Sequence, residues 1–156
     1  MSSSRQAVHD RVVKHIAKTR FPFEDQTDWP PDYRTIVNVG NPQVGMRSGR
    51  HTHYPDIVVV DGQGRAREVA EVEMEIKPQI APRLSIASRG APEIPGTGVR
   101  HFFLYVPVEQ REAALEFVRN YRISYAGLRT FEVGPDGTIS IEPVDTPGHA
   151  KDHRST

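Results

Sequence analysis

The chain reads as one α/β domain around a mixed sheet, in the order α-β-β-β-α-β-α-β-β. Three observations carry that reading. Val8, Val12 and Ile16 recur every four residues, the period of an amphipathic helix. Two strand-like runs, one through Ile57-Val58-Val59-Val60 and one through Glu68-Val69-Ala70-Glu71-Val72, flank a glycine-rich turn, the pattern of a hairpin. Phe102-Phe103-Leu104-Tyr105-Val106 is a continuous apolar run, which suits a central strand buried on both faces.

The elements follow in order. Ser2-Ser3-Ser4 offers N-cap candidates for a helix from Arg5 to about Thr19, with Val13 and Ala17 beside the apolar stripe. Its other face carries Arg11, Lys14, His15 and Lys18. Residues 21–33 are broken by three prolines and read as a loop, which Trp29 pins to the body. Thr35 to Val39 is a short strand, and 40–49 a turn-rich connection. The hairpin follows. Pro82 suits the start of a short helix ending near Gly90, and 91–98 is a Pro/Gly loop. After the central strand, Glu109 to Tyr121 is a helix with Ala114, Leu115, Val118 and Tyr121 towards the core. Residues 123–133 and 138–142 are strands around Gly134-Pro135-Asp136-Gly137. Residues 1–144 make one domain, and the polar residues 145–156 are expected to be a disordered tail.

Composition narrows the function classes. With 156 residues the chain is one domain's worth. Twenty basic and twenty acidic residues cancel, so any nucleic-acid contact has to come from a local patch. The absence of cysteine excludes disulfides, thiolate zinc sites and cysteine nucleophiles. No apolar signal region opens the sequence and no run approaches membrane-spanning length, so a cytoplasmic protein without membrane contact is expected. Neither a phosphate-cradling glycine motif, nor HExxH, nor a serine triad signature occurs.

The second hairpin strand is the chemically suggestive one. Alternation along it lines up Glu71, Glu73, Glu75 and Lys77 on one face, and Val72, Met74 and Ile76 on the other. Stacking like charges on one face is unfavourable unless cations neutralise them. An ordinary solvated strand has the same alternation.

At Pro55-Asp56 and this Glu-x-Glu run, over roughly residues 5–107, the chain resembles the PD-(D/E)XK nuclease superfamily. The resemblance implies a restriction-endonuclease-like mixed sheet and hydrolysis of phosphodiester bonds in DNA, or RNA, with Mg²⁺ or Mn²⁺. It implies an Asp on the second strand and a Glu on the third as metal ligands, with a Lys two residues on to orient or activate water. Such chemistry needs carboxylate oxygens for a hard cation that lowers the pKa of bound water and stabilises charge on the phosphate.

Register selects the glutamate. A two-residue turn at Gly62-Gln63 puts Asp56 opposite Val69, with Glu71 its diagonal neighbour about 7–8 Å away. A one-residue bulge moves the facing residue to Ala70. Glu75, beyond Val69 by six residues, lies about 20 Å from it along the strand at about 3.3 Å per residue, and Lys77 further still. The better match is therefore Glu71-Val72-Glu73, with glutamate where the family has lysine. Asp56 and Glu71 are the expected metal ligands, and Asp56, Glu71 and Glu73 the catalytic group. Arg11, Lys14, Lys18, Arg47 and Arg50 form the candidate nucleic-acid patch. His51 and His53, as ligands or bases, and Lys77 are secondary candidates. The expected partner is nucleic acid, DNA first, with a second copy of the chain as a further candidate. The competing readings are a catalytically inactive relative that binds nucleic acid or protein, and a plain structural domain with an acidic sheet face.

Overall fold

The computed structural model describes residues 2–21, 32–89 and 101–147, without the side chains of Ser2 and Ser3. Trp29, the 91–98 loop and the tail from 148 onward lie outside the described residues.

The helices are α1 (Ser2–Arg20), α2 (Ala81–Arg89) and α3 (Arg111–Asn120). The strands are β1 (Arg34–Val37), β2 (Met46–Ser48), β3 (His51–His53), β4 (Ile57–Val60), β5 (Ala66–Val72), β6 (His101–Pro107), β7 (Gly127–Val133) and β8 (Ile139–Asp145). Six strands form one mixed sheet in the order β1-β4-β5-β6-β7-β8, and β2 with β3 forms a separate ribbon. β1, β4 and β5 pair antiparallel, β5-β6-β7 run parallel, and β8 returns antiparallel.

Two cores sandwich the sheet. On one face Val12, Val13 and Ile16 of α1 pack on Ile57, Val59, Ala70, Val72, Phe103 and Tyr105. On the other, Leu84 of α2 and Phe117 of α3 pack on Val69, Phe102, Leu104 and Leu128. Each fully buried aliphatic side chain contributes about 1.5–3 kcal/mol, so α1, with no acidic residue in its first turn, is held mainly by this stripe. β4 is buried throughout, and β6 nearly so, as a central strand requires.

The element order follows the sequence reading, with one insertion. The connection at 40–49 is only partly loop: its end pairs with His51–His53 in the β2–β3 ribbon. Gly49, at φ 61, takes the first central position of the two-residue turn that joins them, where a left-handed backbone is needed. Other boundaries move by less. α2 begins at Ala81, one residue before Pro82, after a single helical turn at Pro78–Ile80. Both prolines sit in first turns, where a missing N–H costs nothing. β7 starts at Gly127, and Tyr121 is exposed, lying against Phe117, which takes the core position instead. β8 runs to Asp145 rather than ending at 142, because Arg129 Nη1 donates to Asp145 O at 3.2 Å and the Tyr125 hydroxyl bonds its carboxylate. No described helix is long and apolar enough to cross a membrane.

Candidate functional site

Two local irregularities bring Asp56 and Glu71 level. Asp61 N donates to Arg65 O at 3.0 Å, closing a three-residue loop, Gly62-Gln63-Gly64, with Gly64 at φ 78. The Asp61 side chain holds that loop, accepting from Gln63 N at 2.9 Å, Arg65 N at 3.0 Å and Arg65 Nε at 2.7 Å. Next, Val60 pairs with Ala66 but Val59 with Glu68, so Arg67 is bulged out. Loop and bulge each add one residue to the second strand. Ile57 faces Ala70, and one step further Asp56 meets Glu71. The register expected from a two-residue turn, with Asp56 opposite Val69, is therefore corrected by two residues. The bulge alone, without the longer loop, would have stopped at Ala70.

Each carboxyl accepts a backbone N–H from the facing segment. Asp56 N donates to Glu71 Oε1 at 2.7 Å, and Val72 N donates to Asp56 Oδ2 at 2.8 Å. Glu71 Oε2 lies 2.9 Å from His53 Nε2, which reaches in from the base of the ribbon. Asn38 sets the approach of the chain to Asp56: its Nδ2 donates to Pro55 O at 2.6 Å and its N to Asp56 O at 3.0 Å.

β5 ends at Val72, although Glu73 N still donates to Tyr105 O at 3.0 Å. The chain then bends at Met74 and Glu75. Met74 packs with the α1 core and Ile76 with the opposite one, so alternation stops at the bend. The expected single face of Glu71, Glu73, Glu75 and Lys77 is corrected accordingly. Glu71 and Glu73 are buried, whereas Glu75 and Lys77 are exposed and pair with each other at 3.7 Å.

Burial and charge tune the carboxyls. Burial, then the charges of Asp56 and Glu73, push the Glu71 carboxyl well above its usual range. Burial also raises Glu73, against the opposing charge and hydrogen bonds of Arg83. Arg83 grips both Glu73 oxygens, Nε at 3.2 Å from Oε2 and Nη2 on Oε1. Burial and the Arg83 charge lower His53. His9 behaves oppositely. Its burial disfavours charge, yet Asp56 at 3.2 Å and Asp10 at 2.9 Å outweigh that and raise it to about 9.

These groups line a cleft of about 740 Å³ beyond the end of β5. Of the candidates from sequence, Asp56, Glu71, Glu73, His53 and Lys77 line it. Arg47, Arg50 and His51 stand exposed on the ribbon. Lys14 and Lys18 lie on the exposed face of α1, and Arg11 reaches away to Gly137 O at 3.1 Å. Sequence reasoning missed Arg5, Gln6, His9 and Arg83, which also line it. Arg5 and His9 are four apart on α1, a legible spacing, but nothing local tells that this turn docks on Asp56. Arg83 carries no local signal at all.

Carboxylate oxygens are the donors a hard divalent cation takes, and three carboxyls line the cleft, with crowding by Asp56 and Glu73 part of what raises Glu71. Among the described residues no three His, Asp or Glu side chains form a ready metal cage, so an ion on Asp56 and Glu71 would draw its other ligands from water or substrate. No protein-family model, curated protein or solved structure matches the chain.

Proposed function

We propose that the chain is a metal-dependent nuclease-like domain of the PD-(D/E)XK kind, hydrolysing phosphodiester bonds of DNA or RNA. One observation carries the reading: Asp56 and Glu71 come level at the lining of one cleft, the Glu71 carboxyl accepting Asp56 N–H and the Asp56 carboxyl accepting Val72 N–H. The order of helix, antiparallel meander, helix and parallel strand supports it.

Asp56 and Glu71 would hold Mg²⁺ or Mn²⁺. Bound there, the ion supplies a water of lowered pKa and neutralises charge developing on the phosphate. Glu73, with its carboxyl raised, is the group that orients the attacking water and takes its proton. Arg83 fixes the rotamer of Glu73 and puts a positive charge in the cleft. Lys14, Lys18, Arg47 and Arg50, exposed on α1 and the ribbon, are the candidate phosphate contacts, and Arg11 joins them if it leaves Gly137.

A second reading keeps the cleft for binding alone. The engagement of both Glu73 oxygens by Arg83 favours it, because a base so held is a weaker proton acceptor. Asp56→Ala separates the two. Under the nuclease reading it abolishes Mg²⁺- or Mn²⁺-dependent cleavage of DNA and RNA while circular dichroism stays native. Cleavage that survives the substitution overturns the assignment, and a folded wild-type chain that binds but never cuts with any divalent ion supports the second reading.

A further inference from the structure

We propose that the β2–β3 ribbon is a recognition arm that enters the major groove of B-form DNA beside the cleft. The inference rests on the nucleic-acid reading above and narrows its substrate to duplex DNA.

The charge pattern comes first. Residues 33–55 contain no Asp or Glu, in a chain with twenty of them. At the outer end of the ribbon, Arg47, Ser48, Gly49, Arg50, His51 and Thr52 are all exposed. That tip offers two guanidiniums, an imidazole and two hydroxyls, with neither an acidic nor a large apolar side chain. Guanidiniums bind phosphates and, as a fork, the O6 and N7 edge of guanine.

Shape comes second. The ribbon is two strands wide and three paired residues long, Met46 with His53, Arg47 with Thr52 and Ser48 with His51. At about 3.3 Å per residue it extends about 10 Å. A B-DNA major groove, about 12 Å wide and about 8.5 Å deep, admits a two-stranded ribbon of that size. An A-form RNA duplex has a deep, narrow major groove that does not, and a single strand has no groove to enter.

Attachment comes third. Met46 is buried in the core with Val69 and Leu84, so the base of the ribbon is fixed to the sheet and α2. His53, paired with Met46, bonds Glu71 in the cleft. The tip thus stands about one ribbon length, about 10 Å, from the base where His53 reaches Glu71, and a duplex seated on it brings its phosphate backbone beside the cleft.

Fluorescence anisotropy tests this with the full chain, calcium as the only divalent ion, and a mixed-sequence DNA duplex of roughly two helical turns. The wild-type chain is expected to bind the DNA duplex at least about tenfold tighter than either the matching single strand or the matching RNA duplex. The Arg47→Ala, Arg50→Ala double variant, altered only at exposed positions, is expected to weaken duplex binding about tenfold. It should also lower the slope of log affinity against log salt by about 0.9 for each phosphate that the variant no longer neutralises. Equal binding to RNA duplex or single strand, or a double variant that binds DNA like wild type, overturns the proposal. A chain that binds through the ribbon but never cuts refutes the nuclease reading and leaves the arm. One that cuts, but binds duplex regardless of Arg47 and Arg50, refutes the arm and leaves the nuclease.

Discussion

Glu71 Oε1 accepts the backbone N–H of Asp56 at 2.7 Å, while its other oxygen lies 2.9 Å from His53 Nε2. A carboxyl with 2% side-chain exposure thus joins β4, β5 and the base of the ribbon. Truncation would leave the amide and the imidazole without their partner and open a void. Glu71→Ala is expected to cost about 2–4 kcal/mol in urea unfolding, and Glu71→Gln, which keeps an acceptor, about 1 kcal/mol or less. Both should lose Mn²⁺ binding by calorimetry. Retention of full Mn²⁺ affinity by Glu71→Gln would remove Glu71 from the ligand set.

His9 bridges two carboxylates, and its charged form is what both stabilise. Its folded pKa of about 9 stands above the ordinary 6.5. The stability it adds is complete below 6.5 and lost as pH rises through about 9. Glu71 and Glu73 also titrate upward in the fold, so comparison with a variant isolates the histidine. In metal-free protein, the gap in melting temperature between wild type and His9→Ala is expected to close between those two pH values. An imidazole resonance titrating at the ordinary value would refute the bridge.

Arg83 and Lys77 should part company. Arg83 is the cation on Glu73, whose side chain is 6% exposed, whereas Lys77 pairs loosely with an exposed Glu75. Arg83→Met strands a buried carboxylate and is expected to cost about 1–3 kcal/mol and most of any cleavage. Lys77→Ala should change stability by less than about 0.5 kcal/mol and cleavage only slightly. The reverse ranking in single-turnover cleavage would restore Glu75-Ile76-Lys77 as the motif.

Asp61 is the clasp of the loop that sets the register. Burial raises its carboxyl, but the Arg65 and Gln63 hydrogen bonds and the Arg65 charge prevail and lower it below 3.8. A depressed carboxyl stabilises the fold above that value and loses its contribution as pH falls through the folded pKa. Asp61→Asn is expected to cost about 1–2 kcal/mol near neutral pH, a difference that acid unfolding curves should show vanishing towards low pH. A gap that persists unchanged into strong acid would rule out the charge as its source.

Much of the architecture was legible because it rests on local periodicity. The stripe through Val12 and Ile16, the aliphatic run of β4 and the apolar run of β6 each state their burial in their own spacing, and each is buried. The ribbon was not legible, since three residues a strand are too short for alternation to register. Its signal was the Ser-Gly-Arg turn between polar residues.

The site divides in the same way. Sequence was enough to single out the chemically suggestive carboxylates, Asp56 and the Glu71, Glu73 pair, because residue type and alternation are local properties. How they meet is a matter of tertiary structure. A loop one residue longer and a bulge at Arg67 moved Glu71 from the diagonal to a position level with Asp56, and a bend after Glu73 sent Glu75 and Lys77 to the rim. Their neighbours are a tertiary matter too. His9, His53 and Arg83 come from α1, the ribbon and α2, elements far apart in the chain that are brought to one cleft by burying apolar faces. Hydrophobic burial is non-directional and leaves no mark in the sequence of which polar side chain it will carry alongside.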